Sequence, residues 1–399
     1  MIVVVGIGAG GWDEIPVRHQ QLIREAATLL GGKRHLDVVP DLPGQRREPW
    51  PSPLRDGLPA LLESLPADAP VVALASGDPL VSGIGTTLIS LLGRENVRIE
   101  PAVSSVSLAR ARMGWPAESC AVVSVVGRDV SLVGRELAPG RRILALSSDG
   151  STPASIANLL VTAGLGGSVM TVLGELGAET ESSRTGTAST WAGESPRLNI
   201  VAIECVGAPL FGWAAGLPDD AFENDGQLTK RDLRASALAR LAPTPGEHLW
   251  DVGAGAGSVG IEWMRAHPSC TTTAIEGNSE RAARIARNAA RLGVPSLTVV
   301  EGRAPDALRD LPAPDAIFIG GGATRPGVLD ACLAALRPGG RLVVHGVTLE
   351  TEQLLAGLYE DRGGELTRIA VETTAPIGSF TGWAPARTVT QWAYTANRS

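Results

Sequence analysis

The amino-acid sequence predicts an α/β protein made of two unlike halves, and three observations support that prediction. Short apolar runs ending in glycine-rich turns alternate with helical periodicity along most of the 399 residues. The C-terminal half contains a strand–glycine loop–helix–strand unit at 246–276, GEHLWDVGAGAGSVGIEWMRAHPSCTTTAIE. The N-terminal half opens MIVVVGIGAGG and then carries two turns of different composition. Because the halves share no repeat, we expect two fused domains, 1–207 and 222–399, with 208–221 as the junction.

The composition narrows the possible classes of protein. Apolar residues make up 44% and charged residues 19% of the chain, as in ordinary globular proteins. A net charge of −7 argues against a broad nucleic-acid surface. The apolar stretch Ile200–Leu217 is interrupted by Glu204 and Pro209, so we expect no membrane span, and the N-terminus lacks the pattern of a signal peptide. Four scattered cysteines predict neither disulfides nor a metal site. We therefore expect a cytoplasmic enzyme that is a homo-oligomer, without metal, nucleic-acid or membrane partners.

The first lobe of the N-terminal half is predicted from periodicity. Its strands are Met1–Val5, His35–Val39, Val71–Ala75 and Val97–Ile99; its helices are Pro16–Leu30, Leu54–Leu65 and a segment ending near Met113. The proline-rich segment Pro40–Pro53 is predicted to be a surface loop.

Three turns of this lobe carry its candidate cofactor-binding residues. Gly77 gives room for close approach of a ligand, Asp78 can accept hydrogen bonds, and Ser104 and Ser105 offer hydroxyls at a helix start. The full set is Gly6, Gly8, Ser76, Gly77, Asp78, Thr86, Ser104 and Ser105. The turns GIGAG, SGDP followed by GIGT, and PAVSS resemble those of the class III, tetrapyrrole-type methyltransferases, although Ala9 stands where that family has proline. The resemblance implies S-adenosylmethionine in a cleft between two α/β lobes.

The second lobe is predicted to contain a mixed sheet. Its strands are Ala121–Val126, Arg142–Leu146, Ser168–Leu173 and Leu198–Cys205, with a helix after Pro153 and a loop at Arg184–Trp191. In the junction, we expect Leu210, Phe211 and Trp213 to pack between the domains.

The glycine loop of the C-terminal half is its candidate cofactor site. Asp251 ends a strand, glycines follow, Ser258 is a candidate helix cap, and Glu276 ends the next strand, where it can hold a ribose. The candidates are Thr229, Asp251, Gly253, Gly255, Gly257 and Glu276. A glycine loop alone leaves open a tight turn in an unrelated doubly wound domain, or a dinucleotide site. The acid before the loop favours a methyltransferase.

Five ordered motifs extend this interpretation. DVGAGAGS, AIEGN, GRAPDAL, PDAIFIGGG and LRPGGRLVVHGV resemble the class I methyltransferases, a doubly wound, Rossmann-like family. The lead-in FENDGQLTKRDL resembles the C-terminal half of cobalamin-pathway enzymes, although Ala256 stands where threonine is common. The further helices are Arg231–Leu241, Ser258–Ala266 and Asn278–Leu292; the further strands are Leu297–Val300, Ala316–Ile319, Arg341–His345, Leu366–Glu372 and Thr388–Tyr394.

Five residues are candidates for contact with the substrate: Lys230, Gly320, Gly321, Gly322 and His345. Lys230 either covers the cofactor or is plain surface charge. The three glycines leave space for a flat, bulky substrate and also fit a mobile loop. No triad, carboxylate pair or metal cluster marks a catalytic residue, so none is assigned.

Together the motifs resemble the precorrin-6Y C5,15-methyltransferases (decarboxylating) of cobalamin biosynthesis. That resemblance implies one S-adenosylmethionine per half and two methylations of a tetrapyrrole, at C-5 and C-15. It also implies loss of carbon dioxide from an acetate side chain, giving precorrin-8X. Two alternatives are an RNA or protein methyltransferase with the N-terminal half as recognition module, and a tetrapyrrole- or nucleotide-binding protein without catalysis. The acidic balance of the chain and its lack of an aromatic–basic surface disfavour the RNA enzyme.

Overall fold

The first half of the chain forms two five-stranded sheets, and the second half forms one seven-stranded sheet and a separate hairpin. The computed structural model describes residues 1–66, 69–208 and 211–397. It divides into two units, Met1–Pro209 and Leu210–Ser399. Within the described residues, no helix combines the length and apolar character needed to cross a bilayer.

The first sheet is entirely parallel. Its strands are β1 (Ile2–Ile7), β2 (Thr28–Gly31), β3 (Arg46–Pro49), β4 (Val71–Ser76) and β5 (Val97–Glu100). They lie in the order β3-β2-β4-β1-β5. Their helices are α1 (Val17–Glu25), α2 (Lys33–Val38), α3 (Leu54–Glu63), α4 (Ile84–Leu92) and α5 (Ser105–Met113). Because helices flank a parallel sheet, its central strands read as continuous apolar runs, as Val71–Ala75 does.

Three predictions for this lobe are wrong. The end of the predicted helix, Leu29–Leu30, belongs to the buried strand β2, because a short apolar run fits either element. His35–Val39 is not a strand: helix α2 covers most of it, and the side chain of Leu36 packs against Gly31 of β2. The predicted loop Pro40–Pro53 contains the strand β3, which lies at the edge of the sheet and tolerates proline at its end.

The second sheet is mixed, as predicted. Its strands are β6 (Cys120–Ser124), β7 (Arg142–Leu146), β8 (Val169–Gly174), β9 (Ser182–Thr187) and β10 (Asn199–Glu204), and helix α6 spans Thr152–Thr162. The order is β6-β7-β10-β8-β9, with only β6 and β7 parallel. The predicted loop Arg184–Trp191 is wrong in its first part, which belongs to β9. This strand is polar and exposed because it lies at the edge of the sheet.

The third sheet has the doubly wound order expected of a ligand-binding α/β domain. Its strands are β11 (His248–Val252), β12 (Thr271–Glu276), β13 (Thr298–Glu301), β14 (Ala316–Ile319), β15 (Arg341–Gly346) and β16 (Glu365–Ile369). The hairpin strands are β17 (Glu372–Ile377) and β18 (Phe380–Pro385), and β19 (Val389–Thr395) rejoins the sheet. The order β13-β12-β11-β14-β15-β19-β16 reverses direction between β11 and β14. Ligands bind at the carboxyl ends of strands at such a point.

Five helices accompany this sheet: α7 (Arg231–Leu241), α8 (Ser258–Ala266), α9 (Ser279–Arg291), α10 (Val328–Ala335) and α11 (Leu349–Arg362). The predicted antiparallel pair is confirmed in β16 and β19. Glu372, the predicted end of the first of these strands, instead begins the hairpin, which was not predicted from the sequence. Ser258 is not the helix cap, since Gly257 holds that position in a left-handed conformation, φ 74°.

Part of the predicted junction packs into the second unit. Leu217 and Ala221 belong to its core, and Phe211 packs against that core. The buried carboxylate of Glu262 accepts hydrogen bonds from the backbone N–H groups of Gly216 at 2.6 Å and Leu217 at 2.9 Å. It also pairs with the fully buried Arg234 at 2.5 Å. Leu210 lies outside the described residues, and Trp213 is exposed.

Candidate active sites

A cavity of about 340 Å³ lies in the N-terminal unit between its two sheets. The loops after β1 and β4 and the start of α5 line one side; residues of the second sheet and its loops line the other. Six of the predicted cofactor-binding residues line this cavity: Gly8, Ser76, Gly77, Asp78, Ser104 and Ser105. Three turns that are distant in sequence therefore meet at one cleft.

Backbone packing explains why these turns need glycine. Gly77 has φ 50°, and a Cβ at that position would lie 2.9 Å from the carbonyl oxygen of Val103. Its N–H donates to the carbonyl of Ile7 at 2.8 Å. Ser104 caps α5 by accepting from the N–H of Ser107 at 3.1 Å. Gly77 thus joins the three turns.

Two predicted residues of this half do not line the cavity. A Cβ on Gly6 would lie 1.9 Å from the carbonyl oxygen of Gly77. Gly6 is therefore needed for close packing against the backbone of that turn. Thr86 is exposed on α4, away from the residues that line the cavity.

Further polar residues line this cleft that the sequence did not predict, among them Arg34, His35, Glu175 and Asn199. The hydroxyl of Ser76 contacts Arg34 Nη2 at 3.0 Å and His35 Nε2 at 2.9 Å. Burial lowers the pKa of His35 to about 4, and the charge of Arg34 adds to that effect. The imidazole is therefore neutral near pH 7. Both residues lie on α2, and His35 falls in the segment predicted to be a strand, so the position of this helix at the cleft was not foreseen.

A larger cavity, of about 1030 Å³, lies in the C-terminal unit. It sits at the carboxyl ends of β11, β12, β14 and β15, on the side where the strand order reverses. The predicted residues that line it are Thr229, Lys230, Gly253, Gly255, Glu276, Gly320, Gly321, Gly322 and His345. Four of the six cofactor candidates and all five substrate candidates of this half thus share one cavity.

Glu276 is bound to the glycine loop that it faces. Its Oε2 accepts from the N–H of Gly255 at 2.8 Å, and its Oε1 accepts from the N–H of Asn278 at 3.0 Å. Gly255 has φ 59°, and a Cβ there would lie 2.7 Å from the carbonyl oxygen of Gln227. The loop therefore lies between the acid at the end of β12 and the lead-in segment before α7.

Asp251 and Gly257 do not line this cavity. Asp251 is 1% exposed, its Oδ2 accepts from the N–H of Gly260 at 2.9 Å, and its Oδ1 has no partner among the described residues. Burial raises the pKa of Asp251 to about 7; the hydrogen bond from Gly260 opposes the rise, and the charge of Glu276 adds to it. A Cβ on Gly257 would lie 2.7 Å from Ile285. Both residues support the loop and α8 from behind.

Cationic side chains line the same cavity. Lys230 is held 3.5 Å from Asp219. Arg303, Arg325 and Arg387 also line it, are exposed, and form no ion pair within the part of the chain that the structure describes. They were missed because they lie on three separate loops with no shared motif, and only the fold brings them together.

His345 lies at the end of β15 and is 8% exposed. Its ring meets the edge of Phe318 with 5.0 Å between centroids. Its Nε2 lies 2.9 Å from the side-chain amide of Gln391 on β19. Burial lowers its pKa below the ordinary value for histidine. This cavity therefore combines a glycine loop with an acid, exposed cations and one buried neutral imidazole.

Comparison with known families finds one family model for each half of the chain. The tetrapyrrole (corrin/porphyrin) methylase model matches residues 1–192, and the precorrin methyltransferase domain model matches residues 220–396. A precorrin-6Y C(5,15)-methyltransferase (decarboxylating) of Sinorhizobium sp. is 46% identical over 99% of this chain and 96% of its own. One of Mycobacterium tuberculosis (strain CDC 1551 / Oshkosh) is 44% identical over 99% of this chain and 100% of its own.

A shorter relative matches only part of the chain. The cobalt-precorrin-7 C(5)-methyltransferase of Salmonella typhimurium (strain LT2) is 36% identical over 45% of this chain and 88% of its own. The family and the fold expected from the sequence are thereby confirmed: a two-lobed tetrapyrrole methylase fold precedes a doubly wound methyltransferase domain. The chain belongs to the precorrin-6Y C5,15-methyltransferase (decarboxylating) family.

Proposed function

We propose that this enzyme methylates precorrin-6Y at C-5 and C-15 and removes carbon dioxide from an acetate side chain, giving precorrin-8X in cobalamin biosynthesis. The observation that carries the proposal is the C-terminal cavity of about 1030 Å³, which joins a methyltransferase glycine loop to several arginines without ion-pair partners among the described residues, including Arg303, Arg325 and Arg387. Relatives that bear this activity in their names match the chain from end to end.

The chain uses S-adenosylmethionine, as its family does, and we propose one molecule for each half. In the C-terminal cavity, Gly253 and Gly255 line the site with backbone alone, and Glu276 retains lone pairs for a ribose. In the N-terminal cavity, Gly77 and Asp78 both line the cleft, and we propose that they contact the cofactor there. The bound cofactor supplies the sulfonium methyl group. The protein's own part is to align the acceptor carbon and to keep water away, a proximity effect.

The arginines suit a substrate that carries several carboxylates. Acetate and propionate side chains surround a precorrin ring, and the arginine fork binds carboxylates with two parallel hydrogen bonds. Arg303, Arg325 and Arg387 are exposed and so can move to meet such groups. Lys230 is partly engaged by Asp219. We infer that these four cations orient the macrocycle by its rim, while Gly320–Gly322 leave room for its flat face.

We further propose that the two halves divide the chemistry. The N-terminal half would methylate C-5; the C-terminal half would methylate C-15 and decarboxylate. A relative named for C(5) methylation alone, matched over 45% of this chain, supports the view that the activities can be separated. Because Gly216–Ala221 packs into the second unit, we place the start of the C-terminal domain before Gly216.

Two further expectations belong to this proposal. The four cysteines are free, which suits the reducing cytoplasm. The hairpin of β17 and β18 exposes Ile377, Phe380 and Trp383, each more than 60% exposed. Such a patch is a candidate interface for a homo-oligomer. Sedimentation velocity of the full chain measures its assembly, and a monomer at micromolar concentration would contradict that expectation.

The experiment that tests the function is incubation of the full chain with precorrin-6Y and S-adenosylmethionine, followed by mass spectrometry of the product. We expect the gain of two methyl groups and the loss of one carbon dioxide. A product with an unchanged tetrapyrrole mass would refute the proposal.

A further inference from the structure

Among the described polar side chains that line the C-terminal cavity, Glu276 and His345 are buried. His345 is buried at the end of β15, whereas Arg303, Arg325 and Arg387 are exposed. On one side its ring packs against Phe318. On another, its Nε2 lies 2.9 Å from the amide of Gln391, a residue that is itself fully buried.

Only one orientation of the Gln391 amide satisfies both of its neighbours. With its oxygen toward Arg240, the amide accepts from Nε at 3.0 Å and from Nη1 at 3.3 Å, and its nitrogen donates to His345 Nε2 at 2.9 Å. The opposite orientation would point the amide N–H groups at a guanidinium, which has only donors. Arg240 is fixed in turn by the hydroxyl of Ser236 at 2.9 Å and by the carboxylate of Glu365.

This chain of hydrogen bonds sets the tautomer of the imidazole. Because Nε2 accepts from Gln391, the ring proton belongs on Nδ1. Burial lowers the pKa of His345, and the positive charge of Arg240 acts in the same direction, so the ring is neutral near pH 7. Nδ1 has no hydrogen-bond partner among the described residues, and His345 lines the cavity. His345 therefore offers the cavity a fixed, uncharged hydrogen-bond donor.

A neutral hydrogen-bond donor can orient a carboxylate that is to leave as carbon dioxide. During decarboxylation, negative charge leaves the carboxylate and enters the macrocycle. A cation next to the carboxylate would stabilise the starting state more than the transition state and would slow the reaction. A neutral donor in a buried place orients the group with less of that stabilisation.

We propose that His345 Nδ1–H binds and orients the acetate carboxylate that is lost as carbon dioxide, with Gln391 and Arg240 as positioning residues. This rests on the function proposed above. In the step, the bond between the acetate methylene and its carboxyl carbon breaks, and the electron pair passes into the conjugated ring. Carbon dioxide leaves, and a proton from water completes the methyl group. The exposed arginines would hold the carboxylates that are retained.

Three substitutions at one position test the role of the donor. In full-length enzyme, His345→Ala should lower decarboxylation about 100-fold relative to methyl transfer, the loss typical of a misplaced reacting group. The amide nitrogen of asparagine falls near Nδ1, and that of glutamine near Nε2. His345→Asn should therefore recover about ten-fold of the loss, the value of one hydrogen bond, and His345→Gln should not. The readout is the ratio of decarboxylated to undecarboxylated methylated product by mass spectrometry.

Nitrogen NMR of the full chain labelled with ¹⁵N-histidine tests the positioning residues without any turnover. The chain has five histidines, and His345→Ala identifies the relevant signal. We expect a neutral Nδ1–H tautomer at pH 7, and loss of this single tautomer in Gln391→Leu. An Nε2–H tautomer or an imidazolium would overturn the inference.

The two proposals fail in different ways. A wild-type chain that converts no precorrin-6Y overturns the proposed function, and the acetate role with it. An active wild-type chain together with a fully decarboxylating His345→Ala variant overturns the present inference alone.

Discussion

Asp251 makes the folded C-terminal unit sensitive to pH, and Asp251→Asn should remove that sensitivity. Its pKa rises from 3.8 to about 7 on folding because the carboxyl group is wholly buried and one oxygen has no partner among the described residues. The folded state then binds more protons than the unfolded state between these values. The contribution of Asp251 to stability is therefore most favourable below about pH 4 and is lost as pH rises toward 7. A shift of this size corresponds to about 4 kcal/mol as an upper value.

Asparagine keeps the acceptor for the N–H of Gly260 and carries no charge. At pH 8, Asp251→Asn should be more stable than the wild type by up to that amount, and near pH 4 the two should be about equal. Each kcal/mol moves the melting temperature of a domain of this size by roughly 2–4 °C. Differential scanning calorimetry of the full chain at both pH values measures the difference, with Asp330→Asn on the exposed face of α10 as the matched control. An equal effect of Asp251→Asn at both pH values would refute the reasoning.

Four further predictions test the division into two sites and the boundary between the domains. Glu276→Gln should weaken S-adenosylmethionine binding at one of two sites by about 1.5–3 kcal/mol, the value of a bond to a charged group; unchanged calorimetric titration of that site would contradict it. Asp78→Ala should give a product that lacks one methyl group but is decarboxylated, and loss of decarboxylation in this variant would show that the halves are coupled. Fragments 1–208 and 211–399 should each be soluble and bind one cofactor. Fragment 222–399 should melt lower than 211–399 because it lacks two N–H partners of the buried Glu262; equal melting temperatures would count against this account of the boundary.

The long, buried elements of the fold could be predicted from the sequence. The strands and helices around β11 follow from apolar runs separated by helical periodicity, and their doubly wound order was expected from the resemblance to the class I methyltransferases. The failures are short or polar elements. β2 is four residues long, a length at which an apolar run fits a helix as well as a strand. β9 is polar because it pairs with β8 alone, and nothing in its composition indicates a strand.

The site could be predicted where backbone geometry dictates the residue type. Gly77 and Gly255 are visible in the sequence because close packing of backbone on backbone requires glycine there. Arg303, Arg325 and Arg387 were not foreseen, because an arginine on a loop reads as surface charge until the fold brings it to a cavity. His345 was a candidate, but its partners on β19 and α7 lie 46 and 105 positions away along the chain (391 − 345; 345 − 240).

The two acids around the glycine loop, Glu276 and Asp251, have different structural roles. Glu276 faces the cavity and accepts from the N–H of Gly255, so it shapes the side of the loop that meets a ligand. Asp251 lies behind the loop and accepts from the N–H of Gly260 in the first turns of α8. The charge of Glu276 raises the pKa of Asp251. Burial is the main cause of that shift, so neutralising Glu276 should lessen only a small part of the pH sensitivity that Asp251 causes.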